Sequence, residues 1–401
     1  MVGSNVDGLV VHGWVLFVGS VFLGLRSSTH VPRKLSSPVS TSSSKRTAAA
    51  TATRKKSGNE DEIMNMERSM NMERSKVVVR VPATTANFGP GYDTVGMAVD
   101  MWSEFTVERS DKFEVHCIGE GADDIPYDET NLVCHGVAAA FKRAGKPLPL
   151  LKYSLVNRIP YARGLGSSSA AIIGGLIAGL VLAGHTVQSV DKEELLDMAC
   201  EIEGHPDNVA PALYGGIQIG VFADNRWMSD RISTPPGMQC VCFIPKNIGK
   251  TSVARGVLSD TISRGEAVFN IGRVAQLINA LHTNKMDKLR WATEDALHQP
   301  QRGKAMYPHM QLMITAALEA GACAAYLSGA GPTVMGLTSG ASGDIFTQQR
   351  KERVDRNVAA AMIKVAHDCG MEGDCYISAP TGEGAVVVTA EPTFSIEINL
   401  E

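Results

Sequence analysis

The pattern of hydrophobic and polar residues changes near residue 75. Downstream of that point, short runs of branched apolar residues alternate with amphipathic segments, which predicts strands interleaved with helices. Strands are predicted over residues 76–81, 95–107, 113–119, 151–156, 215–222, 239–244, 324–327, 333–337 and 385–389. Helices are predicted over residues 131–145, 167–184, 193–202, 266–281, 285–296, 308–320 and 346–369. Short mixed units of this kind are typical of an α+β fold.

Two consecutive prolines, Pro235 and Pro236, interrupt this pattern. Because clusters of proline and glycine mark breaks between folded segments, we predict two domains, over residues 76–236 and 237–401. The predicted helix over residues 167–184 is apolar around its whole circumference, which favours burial. It is short for a membrane span and rich in glycine, so we expect no stable membrane association of the mature protein.

Residues 1–75 carry a different pattern, which does not predict a fold. An apolar run over residues 9–25 precedes a basic stretch over 26–56 that is rich in serine, threonine and alanine. Basic, acid-poor segments of this kind are typical of organelle transit peptides. The hexapeptide Met-Asn-Met-Glu-Arg-Ser then occurs twice over residues 64–75. We predict a targeting presequence in one or two parts, a linker and plastid localisation. The alternative is an unstructured tail on a cytoplasmic protein.

The composition excludes several functional classes. Hydrophobic residues make up 44% of the 401 residues and charged residues 20%, which is typical of a globular protein. The formal net charge of −4 argues against a broad basic surface, so we expect no nucleic-acid partner. The eight cysteines include no Cys-x-x-Cys pair, so they predict reduced thiols rather than a zinc ribbon.

The segment Arg-Gly-Leu-Gly-Ser-Ser-Ser-Ala over residues 163–170 is the strongest chemical feature. Gly164 and Gly166 allow the backbone to curl, and three serines then begin the apolar helix. A helix N-terminus presents unpaired N–H groups and the positive end of the helix dipole, which favours an anion such as phosphate. The segment lacks the Walker pattern. The alternative is a Gly/Ser turn with no ligand.

Three segments together resemble the motifs of the GHMP kinases: residues 81–96, 160–170 and 327–333, in the same order and with similar spacing. The resemblance covers about residues 76–388. It implies an N-terminal domain like domain 2 of ribosomal protein S5 and a ferredoxin-like C-terminal α/β domain. It also implies an enzyme that transfers phosphate from ATP to an alcohol and uses Mg²⁺.

Four segments, residues 86–93, 201–211, 251–255 and 295–302, are similar to those of the homoserine kinases within that family. This resemblance implies phosphorylation of the L-homoserine hydroxyl to O-phospho-L-homoserine, a step toward threonine, and a homodimer. Two alternatives stay open: a GHMP kinase for mevalonate, a phosphomevalonate or a sugar alcohol, and a catalytically silent nucleotide-binding module.

The resemblance also assigns residues to the nucleotide and the metal. For ATP these are Asn131, Pro160, Arg163, Gly164, Leu165, Gly166, Ser167, Ser168, Ser169, Ala170, Gly329 and Gly331. Asn131 has a competing role as the N-cap of the helix that it precedes. The implied Mg²⁺ ligands are Ser168 and Glu201, with Ser167 and Glu203 as the alternatives.

The substrate residues implied by the resemblance are Asn87, Asp93, His205, Thr251, Arg255 and Arg302. The two arginines carry planar guanidinium groups suited to the carboxylate of an amino acid, although either could be an ordinary solvated arginine. Asn87 and Asp93 suit its ammonium group, but both residue types also cap turns. Asn208, Arg255 and Asp207 are the implied catalytic residues. Asp207 stands where some GHMP kinases have a base, whereas homoserine kinases are expected to rely on orientation.

Overall fold

The computed structural model describes residues 73–185, 190–249, 251–341, 346 and 348–393. The predicted presequence, except its last three residues, therefore lies outside the described residues. Within them, the strands are β1 (Lys76–Ala86), β2 (Val95–Arg109), β3 (Glu114–Gly119), β4 (Leu151–Asn157), β5 (Ile217–Ala223), β6 (Arg226–Ile232), β7 (Gln239–Pro245), β8 (Ala324–Leu327), β9 (Val334–Thr338), β10 (Gly373–Ser378) and β11 (Val386–Glu391).

Helices connect and cover these strands. They are α1 (Leu132–Arg143), α2 (Ser167–Leu182), α3 (Lys192–Glu203), α4 (Pro206–Tyr214), α5 (Thr251–Gly256), α6 (Arg264–His282), α7 (Leu289–Ala292), α8 (Gln299–Ala305), α9 (Met310–Glu319) and α10 (Val354–Asp368). Short 3₁₀ turns cover Met286–Lys288 and Arg350–Glu352. The mixture of helices and sheets confirms the predicted α+β class.

The first sheet contains β11, β1, β2, β4 and β3 in that order, and β5 pairs with both β2 and β6. Only the β3–β4 pair is parallel among the described strands, with α1 on the connection between them. In β4, the residues alternate between buried and partly exposed, as expected for a strand with one face on the core.

The last strand belongs to the first sheet, which differs from the predicted division at residue 236. β11 pairs antiparallel with β1, from Lys76 opposite Glu391 to Arg80 opposite Val386. One cluster of buried side chains also includes residues of both sheets, such as Val79 and Cys240. The segment 237–401 is therefore not separate from the first sheet.

The second sheet is antiparallel in the order β10, β7, β9 and β8. Its strand β7 lies between two neighbours, and all seven of its residues are buried. Helices α9 and α10 pack on this sheet through buried residues such as Met313, Val358 and Met362. The segments that follow β7 and β8 contribute residues to the cavity described below.

Helix α2 is the apolar helix predicted from the sequence. Its predicted burial is confirmed, since 13 of its 16 residues are buried. It packs backbone to backbone on α1, because a Cβ atom on Gly175 would lie 2.1 Å from the carbonyl oxygen of Val133. Among the described residues, we find no helix with the length and apolarity that a membrane span requires.

Candidate active site

A cavity of about 640 Å³ lies where the segment between β4 and α2 meets the segments that follow β1 and β8. Most of the predicted site residues line it: Asn87, Asp93, Asn131, Arg163, Gly164, Gly166, Ser167, Ser168, His205, Asp207, Asn208, Thr251, Arg255, Arg302 and Gly329. The others are not among the lining residues: Pro160, Leu165, Ser169, Ala170, Gly331 and Glu201. The cavity thus brings together residues from six separate motif segments of the sequence.

The phosphate loop, residues 160–166, is shaped by two glycines with positive φ angles, 77° at Gly164 and 71° at Gly166. Gly166 is the N-cap of α2, so no side chain caps the first turn, and its N–H groups are available to an anion. A Cβ atom on Gly164 would lie 2.2 Å from the carbonyl oxygen of Ser328. The hydroxyl of Ser328 donates to the Gly164 carbonyl oxygen at 2.6 Å, which fixes the Gly-rich segment 327–333 against this loop.

Two serines at the start of α2 contact a single carboxylate. The hydroxyls of Ser168 and Ser169 both donate to Oε1 of Glu203, at 2.6 and 2.9 Å. Glu203 lines the cavity, whereas Glu201 is exposed and does not. Residues two apart on a helix point to different sides of it. The geometry therefore favours Glu203, the alternative, over the predicted Glu201 as a metal ligand.

Two predicted nucleotide residues have protein partners. Asn131 caps α1: its Oδ1 accepts from the Val133 N–H at 3.0 Å, and its Nδ2 donates to the Pro126 carbonyl oxygen at 2.7 Å. The competing N-cap role is thus present, although Asn131 also borders the cavity. Arg163 donates from Nη1 to Glu120 at 2.8 Å.

The two residues predicted for opposite ends of the substrate are bonded to each other. Arg255 donates to both carboxylate oxygens of Asp93, from Nη2 at 2.7 Å and from Nη1 at 2.9 Å. Its Nη1 also donates to the hydroxyl of Tyr92 at 2.9 Å. The hydrogen bond to Asp93 outweighs the effect of burial and raises the pKa of Arg255. Arg255 therefore faces the cavity as half of an ion pair.

Arg302 is buried and held by the backbone. Its Nε donates to the Ala254 carbonyl oxygen at 3.0 Å, and its Nη1 donates to that of Gly329 at 3.1 Å. Nη1 also lies 3.1 Å from Nδ1 of His298, whose Nε2 lies 2.7 Å from the Gly89 carbonyl oxygen. These partners assign a neutral His298 that donates from Nε2 and accepts at Nδ1. Burial lowers the pKa of both Arg302 and His298, which agrees with that assignment for His298.

Sequence reasoning missed Tyr92 and His298, which contact the arginines, and Asp295, which caps the helix that carries Arg302. The centroid of the Tyr92 ring lies 5.6 Å from the guanidinium carbon of Arg255 and 5.5 Å from that of Arg302. The Asp295 carboxylate accepts from the backbone N–H groups that begin α8, including His298 at 2.9 Å. An Asp three residues before a His, ahead of a short helix, was the available signal for this cap.

The third group of predicted residues lies at the start of α4. Nδ1 of His205 hydrogen-bonds Oδ1 of Asp207, and both side chains are buried. Burial lowers the pKa of His205, but the hydrogen bond and charge of Asp207 outweigh it, so that pKa is raised overall. Ligand atoms of Asp93, His205 and Asp207 lie within 4.8 Å of one another. Two carboxylates at this spacing make this end of the cavity suitable for a cation such as an ammonium group.

Asn87 ties the first motif to the third. Its Nδ2 donates to the Gly329 carbonyl oxygen at 2.8 Å, and its Oδ1 accepts from the Asp93 N–H at 3.0 Å. Both ends of its amide are thus engaged within the protein. Thr251 is exposed at the start of α5 and lines the cavity near Arg255.

Two family models match the chain: the GHMP kinases N terminal domain over residues 131–216 and the GHMP kinases C terminal over 267–364. A homoserine kinase of Caldanaerobacter subterraneus subsp. tengcongensis is 39% identical over 319 residues, covering 79% of this chain and 97% of the relative. A homoserine kinase of Moorella thermoacetica is 39% identical over 311 residues, covering 78% and 99%.

Solved structures agree with these matches. The homoserine kinase of Cytophaga hutchinsonii superposes with a TM-score of 0.68 at 26% identity, covering 79% of this chain and 98% of that one. Phosphomevalonate kinase of Streptococcus pneumoniae has a TM-score of 0.57 at 13% identity, covering 75% and 99%, and at that identity it shows the fold alone.

The predicted plastid localisation is wrong, because the homoserine kinases that this chain matches are bacterial proteins. The prediction depended on residues 1–75, of which all but the last three lie outside the described part of the chain. A basic, hydroxyl-rich composition is shared by many segments that are not targeting sequences, so it was weak evidence on its own.

Proposed function

This chain belongs to the homoserine kinases of the GHMP kinase family, and from that premise we propose that it phosphorylates the hydroxyl of L-homoserine with ATP. The products are ADP and O-phospho-L-homoserine. One observation carries the proposal: a single cavity has a phosphate loop at one end and paired Arg and Asp side chains at the other. Those two ends suit the phosphates of ATP and the two charges of an amino acid.

Substrate recognition follows from the contacts of Arg255, Arg302 and Asp93. We propose that the homoserine carboxylate binds to the two guanidinium groups and that its ammonium group binds near Asp93. The bidentate bond between Arg255 and Asp93 supports this. When the substrate binds, its carboxylate can replace Asp93 as the partner of Arg255, and its ammonium group can replace Arg255 as the partner of Asp93. The neighbouring Asp207 adds negative potential on the ammonium side.

The donor set at the start of α2 fits Mg²⁺. Hydroxyl and carboxylate oxygens are the ligands that this hard cation prefers, and Ser168 and Glu203 present both within 2.6 Å of each other. We propose that these two residues hold the ion. When bound, Mg²⁺ neutralises charge on the phosphate oxygens.

Transfer of the phosphoryl group requires mainly orientation and charge neutralisation. We propose that the N–H groups of the phosphate loop and the first turn of α2 hold the phosphates. Asn208 then lies beside the substrate hydroxyl. Asp207 is engaged by His205, which supports a role in holding that end of the pocket rather than in removing the proton. The homodimer implied by the resemblance stays a prediction, which light scattering of the purified protein would measure.

The test is ADP release by the purified chain with ATP, Mg²⁺ and one alcohol at a time, with ³¹P NMR of the product. We expect L-homoserine to be the best substrate. The analogue without the carboxylate, 3-aminopropan-1-ol, and the analogue without the ammonium group, 4-hydroxybutanoate, should each lose about 10²-fold or more in kcat/KM, because each leaves a charged side chain of the pocket without its substrate partner.

Mevalonate, phosphomevalonate and a sugar alcohol serve as the alternative substrates in the same assay. Faster turnover of any of them than of homoserine would assign another GHMP kinase activity. Tight ATP binding without turnover of any alcohol would indicate the silent nucleotide-binding module instead.

A further inference from the structure

Thr84 lies beneath the phosphate loop, near the end of β1, and its side chain is completely buried. Its backbone N–H donates to the Leu165 carbonyl oxygen at 3.1 Å. A Cβ atom on Gly166 would lie 1.9 Å from the Thr84 hydroxyl oxygen, so the loop passes directly over that hydroxyl. Thr84 lies within the first motif, residues 81–96, but the resemblance assigned no role to it.

The hydroxyl of Thr84 has one side-chain partner among the described residues, Oδ1 of Asn208 at 2.7 Å. A buried hydroxyl hydrogen needs an acceptor, and the amide oxygen of Asn208 is an acceptor whereas its NH₂ group is not. If the amide were turned over, Nδ2 would face the hydroxyl and the threonine hydrogen would lose its acceptor. The bond therefore fixes which end of the Asn208 amide faces Thr84.

The amide nitrogen of Asn208, Nδ2, is therefore directed away from the Thr84 hydroxyl. Asn208 lines the cavity, and no acceptor in the described part of the chain receives a hydrogen bond from its Nδ2. We propose that Thr84 is a positioning residue, whose hydroxyl holds Asn208 with Nδ2 toward the cavity as a donor to the reacting oxygen atoms. This inference rests on the proposed function and deepens it by assigning how Asn208 is oriented.

This orientation gives Asn208 a defined part in the reaction. An NH₂ group directed into the cavity can donate to the substrate hydroxyl oxygen or to an oxygen of the transferred phosphoryl group, but it cannot accept a proton. Holding a donor in place before the reaction lowers the barrier more than it strengthens substrate binding. The expected signature is therefore in kcat, with little change in the KM for ATP or homoserine.

The experiment is a double-mutant cycle on the full chain with Thr84→Val and Asn208→Ala, together with Thr84→Ser, which keeps the hydroxyl. We expect Thr84→Val to lower kcat about tenfold or more, Thr84→Ser to restore most of it, and Thr84→Val to cause no further loss in the Asn208→Ala background. Thr338→Val is the matched control, since it removes a buried threonine hydroxyl at the carboxyl end of β9. Melting temperature and the KM for ATP are measured for every variant.

The outcomes distinguish the positioning role of Thr84 from the proposed function. Unchanged kcat in Thr84→Val, where Asn208→Ala lowers it, would overturn the inference and leave the proposed function intact. An equal fall in kcat from Thr84→Val in the wild-type and Asn208→Ala backgrounds would also overturn it. So would a fall in kcat that is accompanied by a matching rise in the KM for ATP or by a lower melting temperature. Unchanged kcat in Asn208→Ala would overturn both the inference and the proposed role of Asn208. A wild-type chain that does not phosphorylate homoserine would overturn the proposed function itself.

Discussion

Glu201 and Glu203 are the same residue type, two positions apart on α3, yet their surroundings differ completely. Glu203 accepts hydrogen bonds from two serine hydroxyls at the phosphate loop, whereas Glu201 is exposed outside the cavity. The residue sequence places both in the right region but does not give the rotation of α3 about its axis. That rotation depends on how Leu195, Leu196 and Ala199 pack in the core, which is tertiary information.

We predict that Glu203→Gln raises the Mg²⁺ concentration needed for half-maximal activity by about tenfold or more, because a carboxylate ligand becomes a neutral amide. Glu201→Gln is the matched control and should behave like the wild type. The measurement is initial rate against free Mg²⁺ at fixed ATP. A larger effect from the Glu201 variant than from the Glu203 variant would contradict the corrected assignment.

Asp207 lies in the pocket but already has a partner in His205. We predict that Asp207→Asn keeps most of kcat and raises the KM for homoserine, because the change removes charge near the ammonium group without removing an essential base. Steady-state kinetics with homoserine as the varied substrate measures this. A fall in kcat of about 10³-fold with unchanged KM would instead assign general base catalysis to Asp207.

Helix α2 begins at the phosphate loop, and its buried side chains belong to the cluster of buried residues that includes both sheets. Its glycines allow the backbones of α1 and α2 to approach, since a Cβ atom on Gly175 or Gly136 would lie within 2.4 Å of a carbonyl oxygen on the other helix. Small residues at this seam thus determine where the phosphate-binding helix end lies. The seam is the element that connects the core to the site.

Gly175→Ala should therefore destabilise the chain by about 2–4 kcal/mol, because a methyl group placed 2.1 Å from the Val133 carbonyl oxygen forces the two helices apart. Gly272→Ala on the exposed side of α6 is the control. It meets nothing within 4 Å, so alanine should leave stability equal or higher by about 0.5–1 kcal/mol. Urea unfolding followed by circular dichroism measures both. Equal free energies of unfolding for the two variants would contradict the close backbone contact between α1 and α2.

The elements that were predicted well from the sequence have a clear local pattern of apolar and polar residues. The strand at residues 324–327 and the helix at 266–281 are observed as β8 and α6 with bounds close to those predicted. The predicted helix at 285–296 is instead a 3₁₀ turn followed by α7, and α4 was missed because Pro206 and Pro211 look like breakers. Pro206 is at the first position of α4, where proline costs little, and burial against the first sheet stabilises the rest.

Ordered contacts are present on the N-terminal side of the predicted boundary at residue 75, at residues 73–75. Arg74 is buried and its N–H donates to the Leu182 carbonyl oxygen at 3.3 Å, while the Ser75 N–H donates to that of Glu391 at 2.6 Å. The Glu73 carboxylate also lies near Arg109 and Lys146, at 3.0 and 2.8 Å. Residues 73–75 therefore continue the chain of β1 at its N-terminal end, between β11 and β2.

We predict that a chain starting at residue 73 has the activity and melting temperature of the full chain. A chain starting at residue 76 should melt about 2–5 °C lower, because it loses these backbone hydrogen bonds and the buried arginine. Differential scanning fluorimetry and the ADP assay measure both truncations. Loss of activity in the longer one would show that the segment before residue 73 contributes to the enzyme.

The pairing of β11 with β1 has a consequence for the order in which the chain is made. β1 has β2 on one side soon after synthesis begins, but its other neighbour follows about three hundred residues later. On the ribosome, β1 therefore keeps an open edge until Glu391 has emerged, and an open edge is a template for pairing with another chain. The last strand to be translated covers that edge, so a chain whose synthesis stops before β11 leaves the ribosome with the edge strand that favours aggregation.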